Sequence, residues 1–329
     1  MWLSSSSEPT SPSVEHRPSV EHPSGRHGAW SRIRRGSAMA VAATLLIGTA
    51  ACSSSGSSAN GSQSTGASTL SVVASINQWG SLAKELGGRY VSVTSVMTNT
   101  SVEAHDYEPT TQNIAAFSTA KVTVVNGADY DPWAVKAASS SASTLVNAAE
   151  SGDVAEGGNP HVWFSSKVRK ATADAITAAY EKNDPDHSAK YRELNDQWKD
   201  KEKSLEASIT AARAKTSGAR YAATESVAWY LADDLGMTDA TPKGYSQAVA
   251  NEGEPSASDV VAFTKALASG DISLLILNTQ ETNSVTSTIS ATATTSKVPI
   301  VKLTEQMPAK YATLNEWMEA LVGQFSQTA

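Results

Sequence analysis

Cysteine is all but missing from these 329 residues: Cys52 stands alone, so no internal disulfide can brace the fold and stability must come from packing. Long apolar runs are missing too. The best candidate, Met39 to Gly48, falls far short of the roughly 20 residues that span a bilayer, which excludes an ordinary transmembrane helix. There is no excess of positive charge: 26 Lys and Arg stand against 33 Asp and Glu, a net charge of -7, and nucleic acid is not an expected partner. Catalytic signatures are absent as well, with no His-Glu-x-x-His helix, no Gly-x-Ser-x-Gly elbow and no cysteine pair. What remains, 40% hydrophobic and 18% charged, can bury a real core, and the length calls for two domains or two lobes.

The N-terminal segment reads as an address. Arg32, Arg34 and Arg35 precede the apolar, small-residue run, which ends in Thr49-Ala50-Ala51-Cys52. The pattern is that of an export signal over residues 1–51, its first 29 residues looking like an over-extended start. The small residues before the lone cysteine resemble the lipobox of bacterial lipoproteins, although Thr49 stands where Leu is more usual. That resemblance implies diacylglycerol on the Cys52 sulfur and an anchor on the outer face of the cell membrane. Residues 52–68 continue as a Ser- and Gly-rich flexible tether. Residues 1–51 hold five of the basic and three of the acidic residues, so the mature chain carries 21 positive and 30 negative groups, a net -9. Only three of the six histidines lie beyond residue 51: His105, His161 and His187.

From Leu70 onward strands alternate with helices. Leu70 to Ile76 is a short β-rich apolar run; a helical pattern carrying Trp79, Leu82 and Leu86 stops at Gly87-Gly88; Tyr90 to Val96 alternates as a strand; a helix near Thr111 to Ala120 leads to a strand at Lys121 to Asn126. Such alternation implies parallel sheets. Ser166 to Lys182 is helical, Asp184-Pro185-Asp186 breaks it, and a second helical pattern runs from about His187 to Lys215. That stretch is long enough to run the length of two small lobes as a rigid connector. Alternation then resumes: a strand at Arg220 to Thr224, helices at Val227 to Leu235 and Ala257 to Ala268, and the buried strand Ile272 to Leu277. A helix at Val285 to Thr294, a strand at Val298 to Leu303 and a final helix from Tyr311 to Phe325 complete the chain. The expected architecture is α/β, two lobes with central, mainly parallel sheets: residues 69–186, a connecting helix over 187–215, and residues 216–329. A continuous helix between lobes predicts limited closure.

Two histidines lie in loops where such topology gathers ligand-binding groups. His105 sits in Glu103-Ala104-His105-Asp106-Tyr107-Glu108-Pro109, and His161 in Gly158-Asn159-Pro160-His161-Val162-Trp163-Phe164. Here the chain resembles the solute-binding proteins of high-affinity manganese and zinc ABC importers. His105 to Pro109 matches the family's first ligand loop, and Asn126-Gly127 its strand end. Asn159-Pro160-His161-Val162-Trp163 matches the second loop except that Asn stands for Asp, and Asp184-Pro185 with Tyr191 also fits. The likeness runs from about Leu70 to the C-terminus.

The resemblance implies four ligands to one divalent cation, manganese or zinc, held as cargo in the cleft between lobes: His105, His161, Glu225 in Ala223-Thr224-Glu225-Ser226, and Glu305 after the last strand. Thr304 is the competing alignment for the fourth. Asp106 and Glu108 are candidates to accept the second N–H of a ligating imidazole. Two neutral imidazoles and two carboxylates carry a net -2 that offsets the cation, and the absence of a long His-rich loop tilts the reading toward manganese. The alternative for Glu225 and Glu305 is a helix-start carboxylate stabilised by the helix dipole; His187 reads as a solvated residue. The partners implied are an ABC permease and its ATPase, with the chain itself a monomer and not an enzyme. An extracytoplasmic metallohydrolase, which would need an open metal position and a general base, and a surface adhesin are the rival readings.

Overall fold

The computed structural model describes residues 69–102 and 107–328; the export segment, Cys52, the tether, and His105 and Asp106 lie outside the described residues. The first sheet contains β1 (Leu70–Ile76), β2 (Val91–Met97), β3 (Val122–Val125) and β4 (Thr144–Asn147), paired in the order β2-β1-β3-β4 with every pairing parallel. The second contains β5 (Arg220–Ala223), β6 (Thr238–Asp239), β7 (Leu274–Asn278) and β8 (Ile300–Leu303) in the order β6-β5-β7-β8, again parallel. The two orders are topologically the same. Each sheet reverses its winding beside its first strand, and it is outside the carboxyl ends of the strands, at such a reversal, that α/β sheets bind ligands. β7, Leu-Leu-Ile-Leu-Asn, is buried throughout, as a central parallel strand covered on both faces must be.

Helices α1 (Asn77–Gly87), α2 (Thr111–Thr119), α3 (Pro132–Ser139), α4 (Ala148–Ser151) and α5 (Ser166–Asn183) surround the first sheet. The sequence reading passed over α3, β4 and α4. These elements are short, and α3 is built largely from Ala, whose weak apolar contrast leaves no clear period. Asp184-Pro185 ends α5, and α6 (Ser188–Thr216) follows as 29 residues of continuous helix, about 43 Å at the usual rise. Its buried residues are Tyr191, Asn195, Trp198, Glu202, Leu205, Ile209, Ala212 and Thr216, an alternation of four and three that lays one seam along the helix. Helices α7 (Trp229–Asp234), α8 (Lys243–Ala250), α9 (Ala257–Ala268) and α10 (Ser284–Thr295) flank the second sheet, and α11 (Leu314–Thr328) closes the chain.

The lobes do not have separate cores. One apolar cluster runs from Leu70, Trp79 and Ile176 through Trp198 and Leu205 on α6 to Leu274, Trp317 and Phe325, while two smaller clusters fill the outer sides of the sheets. α6 and α11 meet through a buried polar contact, the Asn315 amide donating to Glu202 at 2.8 Å. Among the described residues no helix is long and apolar enough to cross a membrane.

Candidate metal centre

Three of the four expected ligands come together. His161 Nε2 lies 3.4 Å from Glu225 Oε1 and 3.9 Å from Glu305 Oε2, and one ligand atom from each residue falls within 4.8 Å of the others. His161 is 2% exposed, Glu225 9% and Glu305 0%. Glu225 follows β5 and Glu305 follows β8, both at carboxyl ends of the second sheet, whereas His161 belongs to the first lobe and follows α4 rather than a strand. Its position is fixed by a single turn of 3-10 helix, Val162–Phe164, whose three side chains are buried. The helix-dipole alternative fails for Glu305, because the next helix, α11, begins only at Leu314.

Each group is held from behind. Asn159 Oδ1 accepts from the His161 backbone N–H at 3.0 Å and from Nδ1 at 2.9 Å, while Asn159 Nδ2 donates to the Ser226 carbonyl at 2.9 Å. These contacts fix the amide's orientation and put the imidazole proton on Nδ1. Nε2 is left as an acceptor with no hydrogen-bond donor among the described residues, pointing between two carboxylates. A lone pair facing two buried carboxylate groups is the arrangement a divalent cation satisfies. Asn278 Nδ2 donates to Glu225 Oε2 at 2.6 Å and to Glu305 Oε1 at 3.1 Å, so one amide spans both acids. Tyr130 donates its hydroxyl to Glu305 Oε2 at 2.7 Å and accepts from Gln306 Nε2 at 2.8 Å. Burial, then the negative charge of Glu305, push the Tyr130 phenol well above its ordinary range, so it remains a neutral donor. Tyr130 and Trp163 set their rings edgewise to His161, with centroids at 6.0 and 5.4 Å.

The Asn126-Gly127 pair has its explanation here. Asn126 Nδ2 donates to Pro160 O at 2.8 Å and Asn126 Oδ1 accepts from Trp79 at 3.0 Å, tying the loop before His161 to the end of β3. Gly127 adopts φ +75°, and a Cβ there would stand 2.1 Å from Asn147 Oδ1, so any other residue would be strained and would displace the Asn147 side chain. Asp131 then accepts from the Asn126 and Gly127 amides at 2.7 and 2.8 Å.

The remaining expectations fall as follows. His105 and Asp106 lie outside the described residues. Glu108 is exposed, and the acceptor on the His161 ring is Asn159, a neutral amide in place of the expected carboxylate. Thr304 turns its hydroxyl onto the Gln306 carbonyl at 2.7 Å, leaving Glu305 to enter the cluster. His187 does not join the site, yet it is more than a solvated residue: its Nδ1 lies 2.8 Å from Asp184, which also accepts from Tyr191 at 2.6 Å, and its ring centroid is 4.4 Å from that of Tyr90. Tyr130 and Asn278 went unnoticed in the sequence, and Asn159 stood out only as the one departure within its motif, with no role assigned to it.

Comparison with known proteins bears on the family and the fold. The family described as "ZnuA: Zinc-uptake complex component A periplasmic" matches residues 72–328. A Treponema pallidum protein named for metal binding is 29% identical over 182 residues, which span 49% of this chain and 56% of that protein, little more than half its length. The high-affinity zinc uptake system protein ZnuA of Bacillus subtilis is 25% identical over 248 residues, 69% of this chain and 76% of the relative. Among solved structures, the periplasmic zinc binding protein TroA from Treponema pallidum superposes with a TM-score of 0.69 at 16% identity, covering 79% of this chain and 99% of that one, a likeness of fold. With the family matched across both sheets and the connecting helix, this chain belongs to the ZnuA family of periplasmic zinc-uptake components.

Proposed function

We propose that the chain captures one zinc or manganese ion outside the cytoplasm and delivers it to an ABC permease driven by its ATPase. The observation that carries this reading is the convergence of His161, Glu225 and Glu305 from two lobes, buried, with ligand atoms within 4.8 Å of one another. His105 is proposed as the fourth ligand on its motif. With it the donor set carries a net -2, matching a divalent ion, and carboxylates that bind through one oxygen or two admit tetrahedral zinc as well as higher-coordinate manganese. The relatives in zinc uptake support a transported cargo. We further propose lobes at residues 69–186 and 216–329 about the helix 187–215, a monomer, and a lipid anchor at Cys52, for which Cys52→Ser should leave the membrane fraction.

Calorimetric titration of the wild type and of His105→Ala, His161→Ala, Glu225→Ala and Glu305→Ala with zinc and manganese tests the site. Each variant should lose more than the tenfold to hundredfold that changes behind a ligand typically cost. Zinc should bind at least as tightly as manganese whichever is the natural cargo. Unchanged binding in both histidine variants would overturn metal capture.

A further inference from the structure

The two flanks of the site are fastened differently. Behind Glu305, α1 of the first lobe is bonded to the segment between β8 and α11. Asn77 Nδ2 donates to Met307 O at 2.7 Å, Met307 N returns a bond to Asn77 Oδ1 at 3.0 Å, Gln78 Nε2 donates to Glu305 O at 2.6 Å, and Leu314 N donates to Ser81 Oγ at 3.1 Å. All four contacts use backbone atoms of a buried or half-buried strip, next to the shared core.

On the Glu225 flank, two described hydrogen bonds tie the His161 loop to the second lobe, and both pass through Asn159. Its Nδ2 donates to Ser226 O at 2.9 Å, and Tyr230 donates its hydroxyl to Asn159 O at 2.9 Å. Directly beside them lies a cavity of about 900 Å³ that borders His161, Glu225, Asn159 and Tyr230. An ion with six waters at about 30 Å³ each takes up about 180 Å³, so a hydrated cation passes into this space with room to spare. Asp129, Asp239 and Glu252 also line it, as does Asp153, which Lys167 pairs at 3.0 Å from outside the lining, and no lysine or arginine lines it among the described residues. Such a wall raises the local concentration of cations and repels anions.

Resting on the metal-capture reading, we infer that the cation enters and leaves on the Glu225 flank through this cavity, and that Asn159 and Tyr230 are positioning residues that latch it. The opposite flank acts as the fixed side. Asn159 serves both ends of the device: the amide that latches Ser226, the residue after Glu225, is the same amide that holds the His161 ring. Breaking the latch frees the His161 loop from the Glu225 loop while the α1 contacts keep the lobes together. An Asp at this position could still accept from His161 but would set a carboxylate against the Ser226 carbonyl, so the family's usual residue cannot make this latch.

The test is the rate at which zinc leaves the loaded full-length protein when mixed with excess chelating dye. Tyr230→Phe removes one hydroxyl and no ligand; release should quicken about fivefold, the factor of one neutral hydrogen bond, with the melting temperature of the metal-free protein lowered by no more than about 2–4 °C. Asn159→Asp should also release faster, although a carboxylate is the stronger partner for an imidazole N–H. Asn77→Ala should melt earlier and release zinc at the wild-type rate. Wild-type release from both Tyr230→Phe and Asn159→Asp would overturn the latch, as would equal acceleration in Asn77→Ala; slower release from Asn159→Asp with Tyr230→Phe unchanged would confine Asn159 to orienting the ring. Failure of the wild type to bind zinc at equilibrium would instead overturn the metal reading beneath it.

Discussion

Arg169 and Glu202 form an ion pair with both side chains at 0% exposure, and removing either partner tests how the site is supported. Arg169 lies on α5 and Glu202 on α6. The guanidinium donates through Nε to both carboxylate oxygens at 3.1 and 3.2 Å and through its Nη2 atom to Oε1 at 2.6 Å; its other nitrogen donates to Trp163 O at 3.0 Å, two residues beyond His161. Asn315 of α11 completes the carboxylate at 2.8 Å. Solvent does not screen this pair, so Arg169→Met leaves Glu202 charged and buried at a cost of about 3–5 kcal/mol. Against a total of about 5–15 kcal/mol that is about a fifth of the stability or more, and at about 2–4 °C per kcal/mol for a domain of this size it lowers the melting temperature by about 6–20 °C. Glu202→Met should cost as much. The double variant Arg169→Met/Glu202→Met removes both charges and orphans only the Trp163 carbonyl and the Asn315 amide, about 1–3 kcal/mol each, so it should lose about 2–6 kcal/mol where the two singles sum to about 6–10 kcal/mol. Denaturant unfolding of the four proteins measures the coupling. If the double variant loses the sum of the two singles, the buried charge is not what makes the singles costly and the reasoning fails.

Two further outcomes follow from the same structure. Hydrogen bonds to Glu206 from Lys170, then Ser166, hold its carboxyl below the ordinary carboxylate value, so its contribution is present above that value and fades as pH falls through the lowered folded-state value; the stability gap between wild type and Glu206→Gln should therefore shrink on acidification below about pH 4.3, and a gap that widens there in thermal melts would reverse the sign. Tyr130→Phe should cut zinc affinity about tenfold to a hundredfold by removing the hydroxyl that Glu305 Oε2 accepts from, and calorimetry showing no change would mean that this hydroxyl does not position the carboxylate for the ion.

Periodicity made most of the fold legible. Leu70 to Ile76 and Ala257 to Ala268 occur as β1 and α9 with the bounds that their apolar patterns mark, and α6 spans the long charged stretch after Asp184-Pro185. Errors arose where burial and hydrogen bonding part company. Ile272 is buried in the outer cluster, yet β7 begins only at Leu274 because the ladder to β5 starts there. Tyr311 belongs to the apolar pattern of the last helix, but Thr313 Oγ1 accepts from Glu316 N and sets the helix start at Leu314. Within the site, ligand-type residues stand out in sequence because their chemistry is specific. Tyr130 and Asn278 do not, because an asparagine ending β7 reaches Glu305 only once β7 and β8 pair, and a tyrosine after β3 only once the first lobe meets the second.

The continuity of the core explains why the site must be built in advance. On the proposed reading, an unbroken α6 and one apolar cluster running from β1 to α11 keep the lobes from swinging widely, so the carboxylates of Glu225 and Glu305 sit near His161 before a cation arrives. Buried acids at such proximity are costly unless each is hydrogen-bonded. Asn278 and Tyr130 meet that cost with neutral donors, which leave the negative charge uncancelled for the cation, whereas an Arg or Lys in their place would neutralise the site and compete for it. Asn159 follows the same logic from the other direction, since a neutral acceptor on the His161 ring orients the lone pair without adding a third buried charge. The polar groups packed behind the candidate ligands thus keep the centre poised: both carboxylates are held by neutral donors, while His161 Nε2 has no donor among the described residues.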